Sequence, residues 1–256
     1  MKASAIILGS GTSNGVPTLG IEYPPAFLAN PKNHRTRPSC VLQGPMGNVL
    51  VDCAPEMRIQ LLREGILDID AVIITHTHAD HVMGMDDVRA FCLKYKKAMP
   101  VYSAPRYQED IKRIFPYAFQ EFPEGIWVPR FDLRDVPPFI QEGGMEIETL
   151  WVDHGPIPCL ALRVGDFGYV TDVSHIPQKT WERLKGLKTL VLDAVRKAPH
   201  PNHFHFEKSV EVATKLDAEI TFFTHLSDDY DHDLSQSELP PRIEFAYDGL
   251  KIEILL

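Results

Sequence analysis

"AVIITHTHADH" spans Ala71 to His81, and its two halves follow different rules. The first half is apolar and β-branched, as in a buried strand, and it ends at Thr75. His76, His78, Asp80 and His81 then follow within six positions. Side chains alternate along extended backbone, so His76 and His78 face one way and can share one metal ion. Asp80 and His81 fall where a helix would begin, able to turn toward a second ion. A lone histidine is most often a satisfied core or surface residue. Four such groups at one strand end are costly unless something pairs them. Imidazole nitrogen with carboxylate oxygen suits zinc, manganese or iron.

The rest of the chain sets bounds around this stretch. Its 256 residues suit one α/β domain, residues 1–256, with room for a substantial core. A net charge of −9 argues against a broad surface for long nucleic acid. Cys40, Cys53, Cys92 and Cys159 form no C-x-x-C pair, which fits a reducing, cytoplasmic setting. No stretch approaches a membrane span, and the apolar start is too short for a secretory signal.

Apolar runs predict strands near 4–8, 48–52, 71–75, 146–152, 159–164, 167–171, 189–193, 219–224 and 250–255. Helical patterns cover Pro55–Glu64, Asp80–Phe91, a segment after Pro105, Pro177–Lys185 and Phe206–Leu216. The hairpin pattern in "LRVGDFGYV" implies antiparallel pairing, so a mixed sheet or two mixed sheets covered by helices are expected. Tyr23–Pro38 reads as a proline-rich loop, and Phe122–Gly144 as irregular.

The opening loop "GSGTSNGVPTLG", Gly9–Gly20, follows a strand and resembles a phosphate cradle at first sight. A dinucleotide site needs a helix directly after its glycines. Here Pro17, Gly20, Pro24 and Pro25 follow, and no Gly-Lys-Ser/Thr is present. The glycines therefore predict close backbone approach in a tight turn.

The H-x-H-x-D-H pattern is that of the metallo-β-lactamase superfamily, and the chain resembles it further along. "LWVDHGP" puts His154 after a strand, "GYVTDVSH" puts Asp172 at a strand end, and "ITFFTHLSDDY" does the same for His225. The resemblance implies an αββα sandwich of two mixed β-sheets flanked by helices. It also implies two divalent ions, with zinc favoured and manganese or iron accepted by the same donors. His76, His78 and His154 would hold one ion, Asp80, His81 and His225 the other, and Asp172 would bridge them.

"GTSNGVP", "RTRPSCVL" and the tail "LPPRIEFAYDGLKIEI" resemble the phosphoribosyl cyclic phosphate phosphodiesterase branch. That likeness implies hydrolysis of a small phosphodiester, cyclic ribose phosphate or nucleotide-like, by a hydroxide bridging the two ions. Asp80 would help orient the hydroxide. In "KAPHPNHFHFE", His203 is the expected acid for the leaving alkoxide, ahead of His200 and His205. A homodimer is the family expectation. Related phosphodiesterases can bind a further zinc through cysteines after the glycine loop. This chain has no cysteine there, and Asp228 replaces the histidine after "THLS".

The alternatives are a ribonuclease Z-like RNA-processing endonuclease and a non-hydrolytic cofactor-biosynthesis protein on the same fold. Ribonuclease Z resembles "HLSDDY" through His225, Ser227 and Tyr230 but usually has arginine at the position of Asp229. Arg35 and Arg37 are candidates for a phosphate contact or for plain surface. His34, His175 and His232 are expected to be structural or solvated. Asp86 and Asp87 belong to a solvated face or lie just behind the metal ligands.

Overall fold

The computed structural model describes residues 2–123 and 125–256. Its strands form two seven-stranded sheets, each running almost in chain order. The first contains β1 (Lys2–Gly9), β2 (Ser39–Gly44), β3 (Gly47–Val51), β4 (Ala71–Ile73), β5 (Met99–Tyr102) and β6 (Phe131–Arg134). The second contains β7 (Phe139–Glu142), β8 (Met145–His154), β9 (Ile157–Val164), β10 (Phe167–Val170), β11 (Thr189–Asp193), β12 (Ile220–Thr224) and β13 (Ile243–Phe245). β14 (Leu250–Leu255) returns to the first sheet beside β1.

Both sheets are mixed in the same way. In the first, pairing is antiparallel from β14 through β3 and parallel from β3 to β6. In the second it is antiparallel from β7 to β10 and parallel from β10 to β13. The parallel halves carry the long connections, where α/β folds bind ligands at the carboxyl ends of strands.

The helices are α1 (Pro25–Ala29), α2 (Met57–Arg63), α3 (Ala79–Val82), α4 (Arg89–Tyr95), α5 (Pro105–Ile114), α6 (Gln178–Leu184), α7 (Phe206–Leu216) and α8 (His232–Gln236). Three apolar layers hold the structure together. Between the sheets, Ile7, Leu42 and Val49 pack in one core with Leu160, Leu162 and Tyr169. Outside the first sheet, Leu50 and Val72 pack with Met57, Leu61 and Ile111 from α2 and α5. Outside the second, Leu190 and Leu192 pack with Leu184, Val212 and Leu216 from α6 and α7. This is the αββα arrangement expected. The residues of β4 are buried on both faces, which is why its sequence reads as a continuous apolar run.

Three expectations need correction. The helix expected over Asp80–Phe91 is split into α3, a 3-10 turn at Met85–Val88, and α4. Gly84 lies at the break, where a Cβ would come 2.0 Å from the Ala54 carbonyl oxygen. Phe122–Gly144 contains two short strands, β6 and β7. Tyr23–Pro38 contains α1 and a 3-10 turn at Pro31–Asn33. That segment is also tied across the molecule. Tyr23 donates its hydroxyl to Asp228 Oδ2 at 2.6 Å and accepts the Thr18 N–H at 2.9 Å.

Arg35 is buried, which overturns both readings of it, as a phosphate contact and as plain surface. It is 1% exposed and donates to the carbonyls of Ser227 at 3.1 Å and Tyr230 at 2.8 Å. Burial pulls the guanidinium down to about 10, with Asp248 and Asp231 pulling the other way. Arg37 pairs with Glu56. Arg35→Ala would strand two carbonyls beside a cavity. The expected cost is about 2–4 kcal/mol, seen as a lower urea midpoint with an unchanged slope.

Candidate metal centre

The ends of strands from both sheets meet at one place. β4 leads into His76 and His78, and α3 supplies Asp80 and His81 from its first turn. His154 ends β8, Asp172 follows β10, Asp193 ends β11 and His225 follows β12. His76, His78, His154 and Asp172 offer ligand atoms that all lie within 4.8 Å of one another, and so do Asp80, His81 and His225. The family resemblance implied these seven residues at one centre, and the fold brings them together.

Asp172 lies between the two groups. Its Oδ2 is 3.8 Å from His76 Nε2, 3.9 Å from His154 Nε2 and 3.4 Å from His225 Nε2. Its Oδ1 is 3.3 Å from His81 Nε2. His76 Nε2 and His78 Nδ1 are 2.9 Å apart, and His154 Nε2 lies 3.2 Å from the same His78 nitrogen. His81 Nε2 and both ring nitrogens of His225 are buried without a hydrogen-bond partner. Orphaned lone pairs converging on a carboxylate are what a divalent cation would satisfy, so the donor set fits a metal.

Neighbouring groups turn each ring toward the centre. His81 Nδ1 donates to Asp52 Oδ2 at 2.7 Å, and Asp52 also accepts the Thr75 amide and hydroxyl, each at 2.8 Å. His154 Nδ1 donates to the Asn202 carbonyl at 2.7 Å. Such partners fix the tautomer that leaves the other nitrogen free for a metal. His203 Nδ1 bonds Asp193 Oδ2 at 2.8 Å, while its Nε2 lies 3.9 Å from Asp172 Oδ2. Asp193 Oδ2 also accepts the Val173 amide at 2.9 Å. Neither Asp52 nor Asp193 stands out in the sequence, because a carboxylate after an apolar run is too common a signal.

The backbone is strained at this place. Asp52, Asp172 and His225 have φ of 63°, 45° and 60°, a region that L-residues other than glycine enter at a cost. All three stand just past strand ends; Asp172 and His225 aim a side chain into the centre, and Asp52 holds His81 from behind. Left-handed turns there re-aim the chain abruptly, where continuing strands would carry the side chains past the site.

The other candidates separate cleanly. His200 stacks edge-on against His203 with ring centroids 4.8 Å apart, so it borders the site. His205 is the N-cap residue of α7 and makes no side-chain cap bond. His34 bonds the Leu28 carbonyl, and His232 packs beside Phe245 and Tyr247. Asp86 pairs with Arg89 and accepts from Tyr117, away from the ligands. The opening loop does border the centre. Thr12 donates its amide to the Leu226 carbonyl at 3.1 Å, and a Cβ at Gly9 would sit 1.9 Å from the Arg37 carbonyl oxygen. A cavity of about 330 Å³ opens beside the centre, lined by Thr12, Asn14, His200, His203, His225 and Asp229 among others. A larger one of about 470 Å³, near Cys92 and Trp127, shares no residue with the histidine cluster.

Charge in the metal-free cluster follows from burial and Asp172. Burial holds His76, His78 and His154 below the usual histidine range. Burial also pulls on His225, but the nearby carboxylates of Asp172, Asp80 and Asp193 outweigh it and push it up to about 9. His81 is raised in the same way by Asp172, Asp52 and Asp80. For His225 this carboxylate field contributes stability fully below the unfolded value of ~6.5 and loses it as pH rises through about 9. A cation must displace these protons. Zinc titrated into metal-free protein at pH 7 should therefore release at least one proton, and affinity should climb with pH toward 9. Calorimetry in two buffers of different ionisation enthalpy checks this, and equal heats in both would contradict it.

Comparison with known proteins agrees with this geometry. Residues 47–226 match the family described as the beta-lactamase superfamily domain. A crystal structure of a new diphosphatase from the PhnP family is 39% identical with a TM-score of 0.91, over 99% of this chain and 98% of that one. The short form of human tRNase Z superposes with a TM-score of 0.71 over 99% of this chain and all of that one, at 18% identity, which shows the fold alone. An octanoyltransferase of Porphyromonas gingivalis is 32% identical over 96% of this chain, and the chain spans about half of that relative's length. The chain belongs to the beta-lactamase superfamily, on the branch that carries the PhnP family.

Proposed function

We propose that the protein hydrolyses a small phosphodiester or phosphoanhydride at a dinuclear centre. His76, His78 and His154 would hold one ion, Asp80, His81 and His225 the other, with Asp172 shared and zinc the favoured metal. The placement of the Asp172 carboxylate within 4 Å of histidines from both groups carries this reading. Bound there, two divalent cations supply Lewis-acid stabilisation of a phosphoryl group and make a water acidic enough to attack at neutral pH.

The chain's own residues do the remaining work. Asp80, with Oδ2 3.4 Å from His81 Nε2 and 3.5 Å from His225 Nε2, would orient the attacking water. His203 would donate the proton at Nε2 to the leaving alkoxide. Asp193, bonded to Nδ1, would keep that nitrogen aimed at the reacting group. His203 also comes within ligand distance of Asp172 and His225. Metal content in a His203 variant separates an acid from a ligand.

Octanoyl transfer is not carried over from the relative of about twice this length. The four cysteines are buried, and burial pushes the thiols of Cys40, Cys53 and Cys159 up, so those three offer no ready thiolate. Zinc-loaded protein should turn over bis(p-nitrophenyl) phosphate and leave a thioester and a β-lactam untouched. Preferential hydrolysis of the thioester would overturn the phosphodiester reading.

A further inference from the structure

Three segments that carry no metal ligand converge on one carboxylate, Asp248, between β13 and β14. Its Oδ1 accepts the Ser10 amide at 2.9 Å and the Ser10 hydroxyl at 2.8 Å. Its Oδ2 accepts the Thr36 amide at 2.9 Å and the Thr36 hydroxyl, with Arg63 Nη1 at 3.3 Å. Ser10 begins the glycine-rich loop and Thr36 stands in "RTRPSCVL", so the two oxygens tie the tail to both. The loop in turn grips the residue that follows a candidate metal ligand. The Ser10 carbonyl accepts the Leu226 amide at 2.8 Å, and the Leu226 carbonyl accepts the Thr12 amide at 3.1 Å. Gly11 lies between them with no room for a side chain, since a Cβ would come 2.7 Å from the Arg35 carbonyl oxygen.

His225 depends on that grip more than its neighbours would. His81 and His154 have Nδ1 fixed by Asp52 and by the Asn202 carbonyl. The Nδ1 of His225 is buried with no hydrogen-bond partner among the described residues, while its Nε2 lies 3.4 Å from Asp172 Oδ2. Its φ of 60° persists only where the surroundings over-determine it. Leu226 is held by Ser10 and Thr12, and the Ser227 amide bonds the Val195 carbonyl at 2.9 Å on the far side. We propose that Asp248 is a positioning residue for His225. It fixes the opening loop, the loop fixes Leu226, and the main chain then aims a ring whose Nδ1 nothing holds. The orienting task that Asp52 performs for His81 thus passes to the backbone. This role rests on His225 holding an ion of the proposed dinuclear centre.

Asp248→Asn tests this, because its amide group turns an N–H toward the donors of either Ser10 or Thr36. Asp70→Asn is the control. Asp70 Oδ2 accepts the Asn48 amide at 2.8 Å near the starts of β3 and β4, the ends away from His76, so the control loses a similar bond elsewhere. In metal-free protein, the Leu226 and Thr12 amides of Asp248→Asn should exchange with deuterium about tenfold faster than those of the control. In zinc titrations against a chelator, one of two ions should bind about 10–100-fold more weakly in Asp248→Asn, and the other as in the wild type. The control should keep both affinities. Ser10→Ala, which removes only the hydroxyl bond, should shift both readouts the same way by less, and it decides the matter if Asp248→Asn fails to fold. Unchanged exchange at Leu226, unchanged zinc affinities, an equal loss at both ions, or the same loss in Asp70→Asn would overturn the positioning role. A wild type that takes up a single zinc ion would instead overturn the dinuclear reading, and the exchange at Leu226 would still decide whether Asp248 holds the loop.

Discussion

Asp172→Ala is expected to leave the protein with little bound metal and to lower turnover of bis(p-nitrophenyl) phosphate by about 10³-fold or more. The magnitude follows from the several kcal/mol that Lewis-acid stabilisation supplies. The reason is geometric. One carboxylate stands within 4 Å of histidines from both groups, so its removal takes a donor from each at once. It also leaves His81 and His225 without the neighbour that holds their protons, which should weaken the metal-free fold as well. Metal analysis separates the two effects. A folded Asp172→Ala protein with two ions bound and full activity would refute the shared-carboxylate arrangement. Asp172→Gly is the sharper companion. It removes the same donor but relieves the 45° φ, so it should unfold at a higher temperature than Asp172→Ala while being equally inactive.

The second large effect belongs to His203. His203→Ala should keep its metal yet lose about 10²–10⁴-fold in turnover of esters with poor, strongly basic leaving groups. For nitrophenyl esters, whose leaving group needs no proton, the loss should be small. Asp193→Asn should show the same dependence on leaving group more weakly, because Asp193 acts through the ring it orients. If His203→Ala lost an ion, or lost equally on both classes of ester, His203 would be a ligand and the acid would have to be sought elsewhere.

The sequence disclosed the centre better than the scaffold around it. H-x-H-x-D-H is legible because four polar groups at the end of an apolar strand have no cheap explanation without a metal. Asp172 and His225 are legible only through the family resemblance, since a carboxylate or imidazole after a buried strand is too common a signal by itself. Strand order is another matter, since β2, β5, β6, β7 and β13 carry weak or interrupted patterns. β6 and β7 lie between proline- and glycine-rich turns, and only pairing with neighbours makes them strands. The break after α3 was invisible because a helix-compatible pattern says nothing of the Ala54 carbonyl that the chain must pass at Gly84. Arg35 failed for a related reason. A buried arginine satisfied by main-chain carbonyls leaves no sequence trace, since its partners at Ser227 and Tyr230 are chosen by backbone, not by side chain.

The left-handed backbone at Asp52, Asp172 and His225 has a consequence for laboratory evolution. Each of these residues holds a conformation that costs about 1–3 kcal/mol and that glycine would relieve. A library screened only for heat resistance in the absence of metal should therefore favour glycine over any other replacement at these three positions, because glycine alone offsets part of the lost contacts by relieving the strain. Screened with zinc present and turnover demanded, the same library should keep the native residues. Which replacement is least damaging here is set by the main chain, not by the size or polarity of the side chain.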